Sequence, residues 1–379
     1  MGNGSCAQMR YPGKVYPLIK PLLFHQDPEQ AHDLVLKALE WASRHRPLLQ
    51  LLAALYQLRD PRLETEAFGL RFPNPIGLAA GLDKNARAVP AWAALGFGFV
   101  EVGSVTAQAQ PGNPKPRLFR LPQDEALINR MGFNNEGAAA VAQRLQALRQ
   151  AQQKPAIPLG INLGKSKSTP LELAPQDYLH SLRTLWEHGD YFALNVSSPN
   201  TPGLRQLQDR ERLEELLASI TAFVRSQSVP KPILLKIAPD LSEEQIDQIL
   251  ELAAQYAISG IIATNTTLSR KGLSAAPGES GGLSGRPLRA RALELLRYLS
   301  AHTRLPLISV GGIFTPADVL ERLEHGATLV QVYTGLIYQG PALPRRLCQG
   351  LLRELARLNP RAPGWGEGTP KPPGGAAGP

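Results

Sequence analysis

Cysteine is nearly missing from this chain of 379 residues, which carries only Cys6 and Cys348. Two thiols cannot ligate an iron–sulfur cluster, build a zinc finger or staple a disulfide framework, so both read as inert and a reducing compartment fits. Histidine clusters are missing as well. His180, His188, His302 and His325 fall singly in helical stretches, with no His-x-x-x-His or Glu-x-x-His pair to hold a metal. Aromatic residues form 6% of the chain and never interleave with a Lys/Arg block, so the net charge of +9 does not argue for nucleic acid. An anionic membrane surface or acidic small molecules suit that charge equally well. No apolar run reaches the roughly 18 residues of a spanning helix. The leader Met1–Arg10 lacks the apolar core of a signal peptide, and Cys6 stands where a myristoylation pattern needs Ser or Thr. A G-x-G-x-x-G opening a βαβ unit and a Walker loop are both absent, which disfavours NAD and ATP and leaves a mononucleotide preferred.

What is present divides into three segments. Residues 359–379 hold six Pro and six Gly, too little apolar material for a core, and are expected to be disordered. Residues 1–61 contain a small, very apolar helical segment. Asp27-Pro28-Glu29 reads as an N-cap, a first-turn proline and a first-turn acid, followed by Ala31, Leu34, Val35, Ala38 and Leu39 at helical spacing. Lys14, Lys20, Arg44 and Arg46 edge this segment, which is either a helical cap on the next domain or an interfacial membrane anchor lying on the bilayer.

Residues 62–358 alternate short buried runs with helical patterns. The runs are Pro75–Ala79, Phe99–Gly103, Leu159–Asn162, Tyr191–Asn195, Ile233–Ile237, Gly260–Thr264, Leu307–Val310 and Leu329–Tyr333. Helical patterns such as Glu136–Ala151, Glu243–Ala257 and Pro287–Thr303 separate them. Eight such strands predict an α/β fold, a (β/α)8 TIM barrel with a small N-terminal helical extension; a doubly wound open sheet is the competing arrangement. Pro116–Leu121 and Ala126–Met131 read as a hairpin projecting after the second strand.

The strand ends are informative. They run into Ala80-Gly81-Leu82-Asp83-Lys84, Ser104, Asn162, Asn195, Lys236, Thr264-Asn265-Thr266, Gly311-Gly312 and Tyr333-Thr334-Gly335. In a barrel these ends converge on one mouth, and so many polar groups there call for a large, planar, hydrogen-bonding ligand. Gly311-Gly312 after strand seven and Thr334-Gly335 after strand eight suit a phosphate. Lys84 and Lys236 are either Schiff-base lysines, as in an aldolase, or cations that stabilise charge on a cofactor or substrate. The loop Asn195–Gly203, with two prolines, is able to act as a lid. Asn129–Asn135, rich in amides and carrying Arg130, suits an anionic, amide-bearing substrate.

Taken in order, Ala79–Lys84, Asn129–Asn135, Asn195–Gly203, Lys236–Asp240, Ala263–Thr267 and Gly281–Gly285 resemble dihydroorotate dehydrogenase. The resemblance covers roughly Tyr16 to Arg357, and Ser198 stands where the membrane-associated, quinone-dependent class 2 has its serine base and class 1 a cysteine. It implies oxidation of (S)-dihydroorotate to orotate in pyrimidine (UMP) biosynthesis, with one FMN per chain, a membrane quinone as terminal acceptor and no iron–sulfur partner subunit. FMN is then expected on Ala80, Gly81, Leu82, Asp83, Lys84, Ser104, Asn162, Asn195, Lys236, Thr264, Gly285, Gly312, Tyr333 and Thr334. Substrate is expected on Lys84, Asn129, Arg130, Met131, Gly132, Phe133, Asn195, Asn200, Asn265 and Thr266. His32, Arg120 and Tyr333 match the residues lining the quinone tunnel. Ser104 stands where many relatives have Thr, with the hydroxyl kept. The resemblance also favours the anchor reading of the N-terminal segment. The membrane is then bacterial plasma membrane or mitochondrial, and the lack of a presequence and of a spanning helix favours the inner (plasma) membrane, peripheral on its cytoplasmic side.

Overall fold

The computed structural model describes residues 15–358 except residue 276. The expected disordered tail, the leader and Cys6 lie outside the described residues. Eight parallel strands close into a barrel: β1 (Ile76–Leu78), β2 (Phe99–Val105), β3 (Leu159–Leu163), β4 (Tyr191–Asn195), β5 (Ile233–Ile237), β6 (Gly260–Ala263), β7 (Leu307–Val310) and β8 (Leu329–Val332). Each pairs with its neighbours in chain order, and Val330 opposite Ile76 closes the ring. All eight are buried throughout, as expected of strands covered by helices outside and packed side chains within. The eight strands anticipated from the sequence are the eight that close the barrel.

The barrel floor is aromatic. Phe99 and Tyr191 fill it beside Gly77 and Gly160, where a Cβ would run into their rings. A short hairpin, Thr65–Ala67 with Leu70–Phe72, plugs the N-terminal end and sets Phe72 edge-to-face against Phe99 at 5.2 Å between ring centroids. Sequence patterning does not reveal this hairpin, because three-residue strands carry no periodicity. The hairpin after β2 forms as expected, Leu118–Leu121 with Ala126–Asn129, and gains an unanticipated third strand, Gly282–Gly285. Two glycines in four residues give that strand no β-propensity of its own, so the hairpin edge imposes its extended form.

Three helices precede the barrel: α1 (Tyr16–His25), α2 (Pro28–Ser43) and α3 (Arg46–Tyr56). Asp27 caps α2, accepting from the N–H groups of Glu29 and Gln30 at 2.9 and 3.0 Å. Glu29 then anchors α2 to the barrel through Arg117 at 2.7 Å and Lys115 at 3.2 Å. Burial pushes the Glu29 carboxyl up, but these two cations outweigh it and hold its pKa below the ordinary value. Of the eleven large apolar side chains exposed among the described residues, eight belong to residues 15–51, with Leu18 and Leu22 at 78% and 71%. Among those residues no helix is long and apolar enough to cross a membrane. Cys348 is buried, and burial pushes its thiol up to about 12, in keeping with an inert role.

Candidate active site

The C-terminal strand ends surround an open-mouthed cavity of about 990 Å³, within the range of small-molecule sites. Its floor is one hydrogen-bonded chain running across the strands. Asn265 donates to Asn195 Oδ1 at 3.1 Å, and the Asn195 side-chain amide donates to Ser104 Oγ at 2.8 Å. Ser104 donates to Asn162, whose amide donates to Glu101 at 2.9 Å. Glu101 is fully buried on the barrel axis and also accepts from Gln331 at 2.8 Å, Tyr191 at 3.1 Å and Lys236 at 3.5 Å. Such a chain fixes the orientation of every amide in it, so the groups facing the cavity are pre-set rather than adaptable.

Several groups in or beside the cavity still lack partners. Lys84 forms no hydrogen bond or ion pair among the described residues, and burial together with Arg117 brings its ammonium down to about 8. Thr266 Oγ1 and Gln331 Oε1 are buried without partners. At the far end Gly311 and Gly312 line the cavity with φ of +121° and +70°, opposite Thr334 and Gly335. A cation without an anion, unfilled acceptors and a glycine turn open to the cavity suit a polar, anionic, phosphate-bearing ligand.

Over this cavity lies the loop after β4. Ser198 Oγ faces the cavity and accepts from the Asn200 N–H at 3.3 Å. The Asn200 amide donates to Asn129 at 2.9 Å, and Asn113 donates to the carbonyls of Asn200 and Arg130, each at 3.0 Å, which ties the loop to the hairpin. Arg205 braces its far side, donating to the Ser197 carbonyl at 3.0 Å and the Thr266 carbonyl at 2.9 Å while paired with Asp240 at 2.8 Å.

Most residues singled out in the sequence meet here. Ala80, Gly81, Lys84, Ser104, Asn195, Lys236, Thr264, Gly285, Gly312, Tyr333 and Thr334 line the cavity. So do Asn129, Met131, Gly132, Phe133, Ser198, Asn200, Asn265 and Thr266. Four stand elsewhere. Asp83 is fully buried, accepting from the N–H groups of Arg87 and Ala88 and from the Trp92 indole, so it shapes the loop from behind. Leu82, next to it, faces a different cavity. Asn162 acts one layer down, within the amide chain. Arg130 turns away to pair with Glu279 at 2.8 Å. Glu101, Gln331 and Ser284 escaped sequence reasoning. Their one signal is a lone polar residue in an otherwise apolar or glycine-rich run.

A second cavity, of about 1210 Å³, opens beneath α1 and α2 and is almost wholly apolar. His32, Arg120 and Tyr333 all line it. Arg120 donates to the carbonyls of Leu23, Phe24 and Gln26, closing the end of α1. Burial and the nearby Lys84 charge bring His32 down to about 4, so it is neutral at physiological pH. Tyr333 lines both cavities and forms their common wall.

Comparison with known proteins decides the family. A family model described as dihydroorotate dehydrogenase matches residues 62–355. The chain belongs to the dihydroorotate dehydrogenase family. The chain is 57% identical over 333 residues to a dihydroorotate dehydrogenase (quinone) of Thermus thermophilus, covering 87% of this chain and 94% of that one. A protein of the same name from Gloeobacter violaceus is 53% identical over 345 residues, covering 90% and 95%. Among solved structures, DHODH of Eimeria tenella in complex with ferulenol superposes with a TM-score of 0.79 at 36% identity, covering 90% of this chain and 95% of that one. The resemblance read from the motifs is borne out, including the quinone-dependent class.

Proposed function

We propose that this protein oxidises (S)-dihydroorotate to orotate in pyrimidine biosynthesis, with FMN as hydride acceptor and a membrane quinone as terminal acceptor. The observation that carries this reading is the pair of cavities, one polar and one apolar, that meet at Tyr333. FMN suits the polar cavity because the strand-end amides, Lys84, Lys236 and the Gly311–Gly312 turn match a planar polar ring system at one end and a phosphate at the other. When bound, FMN supplies a two-electron acceptor for the hydride leaving substrate C6. Ser198 receives the C5 proton at Oγ. A hydroxyl is a poor base, so it passes its own proton on, through water or the buried, unpartnered Thr201 hydroxyl on the same loop. Lys84 and Lys236 hold positive charge against the developing anion, and Asn129, Asn195, Asn200 and Asn265 read the N–H and C=O edges of the pyrimidine.

The apolar cavity takes the quinone, with His32, Arg120 and Tyr333 as its polar points. Residues 1–61 form the membrane-associating segment and residues 62–358 the FMN-binding barrel. The exposed apolar side chains of α1 to α3, with Lys20, Arg44 and Arg46 among them, suit peripheral attachment to the cytoplasmic face of the inner membrane. Anaerobic addition of dihydroorotate should bleach a yellow preparation, and a short-chain quinone should restore the colour. A flavin-free protein that FMN does not reconstitute would refute the reading.

A further inference from the structure

Arg322, in the helix Pro316–Glu324, is the largest side chain that the described residues bury completely. One terminal nitrogen donates to the carbonyls of Arg289 at 2.8 Å and Gly311 at 3.0 Å, and the other reaches Ser309 Oγ only at 3.5 Å. Its Nε has no partner. Nor does Arg322 join any ion pair among the described residues, because the nearby acids Asp318 and Glu321 are both held by Arg289 at 2.7 Å. Burial brings its pKa down to about 10, which leaves it charged at neutral pH. Glu321 and Asp318 act on this charge only through space and are already paired with Arg289, so its direct partners are carbonyl dipoles, an arrangement that costs stability.

The carbonyl that Arg322 holds belongs to the peptide group whose N–H is that of Gly312, and both glycines line the cavity at its proposed phosphate end. A cation bonded to a carbonyl polarises the whole peptide and strengthens its N–H as a donor. Arg322 also grips the start of the helix against which Gly312 packs; a Cβ there would meet Arg289 Cα at 2.5 Å. We propose that Arg322 is a positioning residue for the FMN phosphate: from behind the Gly311–Gly312 turn it fixes the turn, strengthens its N–H donor and supplies the buried positive charge. This rests on the FMN reading above.

The test compares FMN with riboflavin, which has the same ring system and no phosphate, by fluorescence titration of the full chain freed of flavin. Wild type should prefer FMN. Arg322→Gln should weaken FMN about tenfold or more while changing riboflavin by less than about twofold, the loss expected of one charge-assisted interaction. Equal weakening of both flavins, or an unchanged preference, would overturn the proposal. Should the glutamine variant not fold, Arg322→Lys carries the test, because its charge can be titrated against the fixed surroundings of Arg289, Asp318 and Glu321. Its FMN preference, relative to wild type at the same pH, should fall between about pH 7 and pH 9 as the lysine deprotonates, below the range in which Arg322 itself titrates. A constant relative preference would overturn the idea. Failure of the FMN reading looks different, since wild type itself would then bind neither flavin or both alike.

Discussion

The polar cavity at the strand tips and the apolar cavity under the N-terminal helices share Tyr333 as a wall but are built by different rules. The first draws a side chain from nearly every strand and locks its amides into one chain ending on Glu101. The second is walled by helices that bury little themselves; α1 and α3 contain no buried residue. A ligand recognised by hydrogen bonds needs donors that do not move, and a barrel rim provides them. A ligand recognised by greasiness needs only surface and a way in, for which helices laid over the barrel with few buried residues are enough.

Breaking the second region should leave the first intact. Deleting residues before Leu63 is expected to abolish quinone reduction while dihydroorotate still bleaches the flavin anaerobically; unchanged quinone turnover would show that the helices have no part in it. The converse break is Ser198→Ala, expected to slow bleaching on the order of a hundredfold or more, with FMN affinity unchanged. Equal loss of both would contradict the base assignment. A milder disturbance is Arg205→Met, which frees the Ser197 and Thr266 carbonyls and should slow bleaching about tenfold by misplacing Ser198. Combined with Ser198→Ala it should add little, and full additivity in stopped-flow rates would mean that Arg205 acts elsewhere.

The smallest expected effect separates the regions by pH. His32 is held neutral, its pKa in the folded chain lying near 4 and below the unfolded value. Its contribution to stability is therefore complete above the unfolded pKa of about 6.5 and is lost as pH falls toward the folded one. His32→Gln should lose less stability than wild type between those limits in urea titrations, while anaerobic bleaching stays the same. Parallel losses in the two proteins would mean that His32 is not held neutral.

The same contrast explains what could be read in the sequence. Strand-end residues such as Asn195, Lys236 and Gly312 are legible because a barrel converts strand order into position, so a polar residue closing a buried run has one place to go. The apolar cavity has no such code. His32 and Arg120 are legible only through resemblance, since nothing in an apolar helix such as Pro28–Ser43 or a short strand such as Leu118–Leu121 marks which side chain will meet a cavity. Glu101 escaped because its meaning is non-local: four donors from four other strands give a buried carboxylate its role. Asp83 and Asn162 show the opposite limit. Strand-end order places them near the mouth, but their partners draw them away from the cavity, Asp83 behind its loop and Asn162 one layer down on Glu101.

Tyr333 keeps the two rooms apart while touching both, so the visitors to one never have to leave for the visitors to the other. A compound lodged among the N-terminal helices would leave the strand-tip chamber free to fill once. Each molecule would then process a single dihydroorotate and stop, and the orotate released would count the blocked copies one for one.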